Sequence, residues 1–279
     1  MNEELFYGCL PAKKDLRDYK IHTSANIVET FPETFELPRY GKVKNQGAIS
    51  SCVPHATSTI LEYFDKGQNV LSTNFIYGLQ ERISGRVGKG MYLADACKIA
   101  KQYGDMLNSD CGGNSEPPAC KNIAEKALAD EEKAETAYNF HINSYYSCPA
   151  YKDIKHALMN YGMVLGSIKM YRKYTIDEDG VIHMDQTSDY GLHCIVIYGW
   201  NEKGFLFQNS WGKLWGHGGC AVIPYEDKII VEAKALIDYE NPDDEALVRP
   251  VNNNILDILY KIVNFVLQIL KDWQSTKTS

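Results

Sequence analysis

Gln46-Gly47-Ala48-Ile49-Ser50-Ser51-Cys52-Val53-Pro54-His55 is the stretch on which the reading of this chain turns. It joins a turn-rich loop to the start of a helix. Gly41 and Gly47 punctuate the loop, and from Cys52 onward Ile60, Leu61 and Phe64 recur at helical spacing. Pro54 suits a first turn, where no backbone N–H is needed, and Gly67 supplies a stop. A cysteine placed there sees the positive end of the helix macrodipole, which favours the nucleophilic thiolate. A histidine nearby would take the thiol proton and lower its pKa further. Gln46, six residues upstream, has a side-chain N–H to offer a developing oxyanion, and the Cys52 backbone N–H offers a second.

Further along, His193 to Trp200 (HCIVIYGW) reads as a buried strand. Asn201-Glu202-Lys203-Gly204 reads as a hairpin turn, and Phe205 to Trp211 as the return strand. Asn209 lies sixteen residues after His193, and its side-chain oxygen can accept from the imidazole and fix its tautomer. Strict hairpin counting from a turn centred on Glu202-Lys203 puts Asn209 opposite Val196, so register alone does not supply that contact.

These residues resemble the papain-like cysteine peptidases. The family pattern is Gln-Gly, a nucleophile six residues after the Gln, a His, and Asn-Ser-Trp-Gly sixteen residues after the His. Here His193 stands 141 residues after Cys52, and Asn209 to Gly216 (NSWGKLWG) fits the third motif. The resemblance covers Phe31 to about Glu240. It implies an α+β fold of two lobes, a helical N-terminal lobe and a β-barrel-like C-terminal lobe, with the active site between them. It implies catalytic roles for Cys52, His193, Asn209 and Gln46, substrate contacts at Gly90, Trp211 and Trp215, and a peptide or protein as substrate. No cofactor or metal is expected. Ile49 replaces a cysteine that the family commonly uses in a disulfide, and Val53 replaces an aromatic residue; this divergent cysteine motif and the short N-terminal arm look more like bacterial or phage members than animal cathepsins.

The rest of the chain agrees with a globular enzyme. Its 279 residues, 44% hydrophobic and 23% charged, suit one large domain or two small lobes. Twenty-nine basic against 36 acidic residues give a net charge of −7, which argues against a nucleic-acid protein held by phosphate neutralisation. No run of 18 apolar residues occurs, so no membrane span is expected. The start, MNEELFYGCLPAKKD, is no secretory signal, which makes a cytoplasmic location the default unless a signal has been removed. Eight cysteines without a Cys-x-x-Cys pair make neither a disulfide scaffold nor a zinc site; Cys111 and Cys120 are the candidates for a local disulfide.

Helices are expected at about 91–103, 121–137 and 151–161, and strands at 163–168, 193–200, 205–211 and 220–223. Helices first and strands afterwards mean α+β. Three regions follow. Residues 1–31 form an arm, read as a prosegment across the active-site groove, with Leu5, Phe6, Tyr7, Leu10 and Pro11 as anchors and Cys9 approaching Cys52; the rival is an external brace. Residues 32–240 form the catalytic domain. Residues 241–279 form a linker and an amphipathic helix at 252–273 whose wide apolar face suits docking or self-association.

Rival assignments are fewer. His55 competes with His193 as base, but three residues along the same helix it reads better as a core histidine. Tyr225 and Glu226 are candidates for a pocket wall. A peptide-binding relative without turnover is one alternative, and an acyl or glutamine transferase with the same triad is the other. The intact Gln46, Cys52, His193, Asn209 set and the Asn-Ser-Trp-Gly motif favour the peptidase.

Overall fold

In the computed structural model, residues 7–12, 30–86 and 88–238 are described. After a short strand β1 (Phe35–Glu36), the chain runs into helix α1 (Cys52–Phe64). Six more helices follow: α2 (Thr73–Gly78), α3 (Gln80–Ser84), α4 (Leu93–Tyr103), α5 (Asn108–Cys111), α6 (Ala119–Leu128) and α7 (Glu131–Tyr138). Strand β2 (Ser144–Ser147) and helix α8 (Tyr151–Asn160) lead into the strand-rich part. That part comprises β3 (Val164–Tyr171), β4 (Tyr174–Ile176), β5 (Ile182–Met184), β6 (Tyr190–Trp200), β7 (Gly204–Gln208), β8 (Cys220–Pro224) and β9 (Ile230–Ile237). The architecture is α+β with helices and strands segregated into two lobes.

Helix α1 is buried from Cys52 to Glu62. So deep a helix must satisfy its polar side chains locally. Thr57 and Thr59 donate to the carbonyls of Val53 and His55, and Ser58 donates to Asp105 Oδ2 at 2.7 Å. Around it pack Phe75, Ile76, Leu93, Cys97 and Ile99, forming one apolar core. A second core, with Ile168, Ile195, Ile197, Trp200, Phe205 and Phe207, lies under α8.

The expected helix over 121–137 is two helices. Asp130 breaks it: its side chain accepts the Lys133 N–H at 3.4 Å and caps α7. The expected barrel-like lobe is instead an open sheet. Seven strands run β2-β9-β3-β6-β7-β8 with β1 added on β6, while β4 and β5 pair separately. Strand β6 is central, with β3 antiparallel on one side and β7 on the other. All eight cysteines are free and buried, Cys111 and Cys120 included. The 252–273 segment lies outside the described residues.

Candidate active site

Cys52 is the first residue of α1, and His193 lies near the start of β6. The loop before α1 is tied to the segment after β7: Gln46 N–H donates to the Ser210 carbonyl at 2.8 Å, and Asn45 bridges to Trp211. That tie brings the two lobes together at the cysteine. The backbone N–H groups of Cys194 and Gly8 face the Cys52 sulfur and oppose the effect of burial on it.

A bulge supplies what hairpin counting lacks. Trp200 faces Phe205 and Gly199 faces Leu206, but beyond the bulge Ile197 faces Phe207 and Val196 faces Gln208. One extra residue in β6 slides the register by one, and the return strand ends at Gln208. Asn209 then turns in, and its Oδ1 lies 2.7 Å from His193 Nε2. The same Oδ1 accepts the Ser210 backbone N–H at 2.7 Å. An atom that accepts a backbone N–H is the oxygen, so Nε2 must carry the proton. His193 Nδ1 has no hydrogen-bond partner and is the basic nitrogen of the neutral ring. Trp211 stacks on the imidazole, with centroids 4.5 Å apart. Trp215 stands edge-on behind Trp211 at 5.6 Å, with its N–H donated to the Tyr174 hydroxyl.

Gln46 is fully buried and held at both ends. Its Nε2 donates to the Ile49 carbonyl at 2.7 Å, and its Oε1 accepts from Ser210 Oγ at 2.6 Å. Ser210 thus touches both Gln46 and Asn209. The Asn-Ser-Trp-Gly motif contains Ser210, but nothing in residue spacing announces that link. His55 is separate: its Nδ1 bonds the Ser51 carbonyl at 2.8 Å and its Nε2 bonds Asn114 Oδ1 at 2.9 Å. Tyr225 is separate too, packed on Phe205 with its hydroxyl donated to the Asn201 carbonyl at the hairpin turn. That is the far end of β6 from His193, so the pocket-wall expectation for Tyr225 fails.

Residues 7–12 lie across this site. Met91 N–H donates to the Gly8 carbonyl at 2.8 Å, and Leu10 N–H donates to the Met91 carbonyl at 2.9 Å, a parallel bridge between Cys9 and Met91. Cys9 N–H donates to the Leu192 carbonyl at 3.2 Å, and its thiol donates to Ser167 Oγ at 3.1 Å. Gly90 has φ 78°, a region that suits glycine, and a Cβ there would stand 3.1 Å from Leu10 and 3.2 Å from the Gly8 carbonyl. Its own N–H goes to the Tyr77 hydroxyl, so Met91, not Gly90, makes the backbone pairing. Under this cover Cys52 and His193 have no exposed surface. Burial pushes the Cys52 thiol up to about 11 and the His193 imidazole down to about 4, so both are neutral here. Among the described residues no group of His, Cys, Asp and Glu is arranged to hold a metal ion. No helix among them is long and apolar enough to cross a membrane.

A cysteine at a helix start beside an imidazole oriented by an amide is the arrangement that thiol-dependent acyl transfer requires. The family model described as papain family cysteine protease matches residues 32–237, and the chain belongs to that family. It is a cysteine-type peptidase. An uncharacterized peptidase C1-like protein of Acanthamoeba polyphaga mimivirus is 21% identical, over 79% of this chain and 81% of its own length. Xylellain, a cysteine protease from Xylella fastidiosa, superposes with a TM-score of 0.72 at 20% identity, covering 86% of this chain and 98% of that one. Procathepsin B S9 from Trypanosoma congolense gives a TM-score of 0.61 at 16% identity, with 84% and 87% covered.

Proposed function

We propose that this peptidase is an endopeptidase that acts through Cys52, His193 and Asn209, and that its N-terminal arm holds it in a resting state. The observation that carries the reading is the 2.7 Å bond from His193 Nε2–H to an Asn209 oxygen that the Ser210 N–H already fixes. It leaves Nδ1 as the base for Cys52. The thiol passes its proton to Nδ1, and the sulfur attacks the scissile carbonyl carbon, forming an S–C bond and an oxyanion. Gln46 and the Cys52 backbone N–H are the donors that receive the oxyanion. Collapse breaks the C–N bond, and the imidazolium gives its proton to the leaving amine. Water then attacks the thioester while His193 takes its proton, and the acid and the thiol are released.

The arm's backbone bonds to Met91 and Leu192 support the resting state, as does the neutral pair beneath it. Displacing the arm readmits water, which restores the ion pair. The test combines a thiol-directed alkylating probe, mapped by peptide mass, with an internally quenched peptide substrate. Labelling at Cys52 that abolishes peptide cleavage is expected. Cleavage that survives full labelling overturns the assignment, and amine incorporation without hydrolysis converts it to a transferase.

A further inference from the structure

Tyr7 occupies a hollow that belongs to the enzyme body. A Cβ built on Gly191 would stand 2.2 Å from Tyr7 Cδ2 and 2.3 Å from its Cγ. Tyr7 therefore lies against the bare backbone of β6 at Gly191, where a side chain on β6 would collide with it. The His193 imidazole is a second neighbour, edge-on with centroids 6.4 Å apart, and the Tyr7 ring also packs against the second core. Gly191 pairs with Met170 across β3 and β6, so the floor of the hollow is a rigid ladder rather than a loop. The Tyr7 hydroxyl is buried there without a hydrogen-bond partner. The hollow fits the ring, while Arg172 and Tyr174 act on the hydroxyl only from beyond hydrogen-bond distance.

The chemistry gives the hollow its side. His193 delivers its proton to the leaving amine, so the residue carrying that amine lies on the His193 side of Cys52. We propose that the hollow over Gly191 is the subsite for the residue that follows the scissile bond, that it selects an aromatic side chain, and that Gly191 is its determinant. This rests on the peptidase reading above. Burying part of an aromatic ring favours it over Ala by about tenfold. Phe is expected to serve at least as well as Tyr, since a hydroxyl buried without a partner weakens binding.

The experiment uses the full chain with Tyr7→Ala, which empties the hollow, and the same chain with Gly191→Val added, which refills it. Two measurements are made on each. The first is kcat/KM on paired quenched peptides with Phe or Ala after the scissile bond. The second is saturation-transfer NMR with phenylalaninamide, which reads occupancy without turnover. The expected result is a Phe:Ala ratio of about ten in Tyr7→Ala, falling to about one in the double variant, with the NMR signal lost in parallel. Equal rates for Phe and Ala in Tyr7→Ala, or an NMR signal unchanged by Gly191→Val, overturn the subsite. Saturation transfer that Gly191→Val abolishes, with no cleavage of any peptide, keeps the subsite and overturns the peptidase mechanism instead.

Discussion

Gly8→Ala is the sharpest perturbation of the arm. A Cβ at Gly8 would fall 2.2 Å from the Ser50 carbonyl oxygen and 2.3 Å from its carbon, both backbone atoms of the loop that leads into Cys52. Neither side can yield by turning a rotamer, so the arm must lift. Lifting it sacrifices the backbone bonds from Met91 to Gly8, from Leu10 to Met91 and from Cys9 to Leu192. At about 1 kcal/mol net for each bond, the arm loses about 3 kcal/mol of its hold. That raises the open fraction by about 100-fold while the closed state still dominates. The assay is the second-order rate of iodoacetamide alkylation, localised to Cys52 by peptide mapping, because all eight cysteines are buried thiols. A rise of about 100-fold is expected, with a matching rise in initial rate on a peptide. An unchanged alkylation rate in a Gly8→Ala protein with native circular dichroism and Tm would refute the resting-state account.

Asn209→Ala removes the acceptor of the His193 Nε2 proton and should lower kcat/KM by about 100-fold while shifting the acid limb of the pH–rate profile; a uniform loss with no shift would mean that Asn209 only supports the fold. Ser210→Ala removes the donor to Gln46 Oε1 and should lower kcat about tenfold with little change in KM, whereas a pure KM effect would contradict an oxyanion role for Gln46. The alkylation rate of Cys52 in the unaltered chain should keep rising to about pH 11, because burial holds the thiol up, and Gly8→Ala should move that inflection well below; identical profiles would count against the arm. Burial holds His55 down to about 4 from 6.5, so the unfolded chain takes its proton first; the stability it contributes is complete above pH 6.5 and is lost as pH falls toward 4. Urea unfolding at pH 7 and pH 5 should show a loss about 2 kcal/mol greater in the unaltered chain than in His55→Gln; equal losses would contradict the buried neutral ring. Asp105, pushed up by burial, acts with the opposite sign but is common to both proteins.

The parts of this fold that were legible in sequence have one-dimensional signatures. Ile60, Leu61 and Phe64 mark α1 by period, and the run from His193 to Trp200 marks a buried strand by its apolarity. Motif spacing places Cys52, His193 and Asn209, which the fold brings to one groove. Other features depend on what packs against them. Helices α2 and α3 are short and lack a clean stripe, and they stand only because α1, α4 and α6 bury them. The bulge that lets Asn209 reach His193 leaves no mark in residue types around Tyr198. Asp130 is a cap signal set inside a continuous run of helix formers, so composition hides the break between α6 and α7. The open sheet depends on how the strands close in space, which alternation of residue types does not encode. Ser210 is visible in its motif, yet its tie to Gln46 spans 164 residues of chain.

The central claim is that Cys52 is the nucleophile and His193 its base. Peptide cleavage by Gly8→Ala, compared with the same chain carrying Cys52→Ala or His193→Ala as well, measures it most directly. Turnover is expected in the first, none in the second, a loss of several orders of magnitude in the third, and a thioester adduct at residue 52 in the first alone. Cleavage that persists in the Cys52→Ala protein contradicts it.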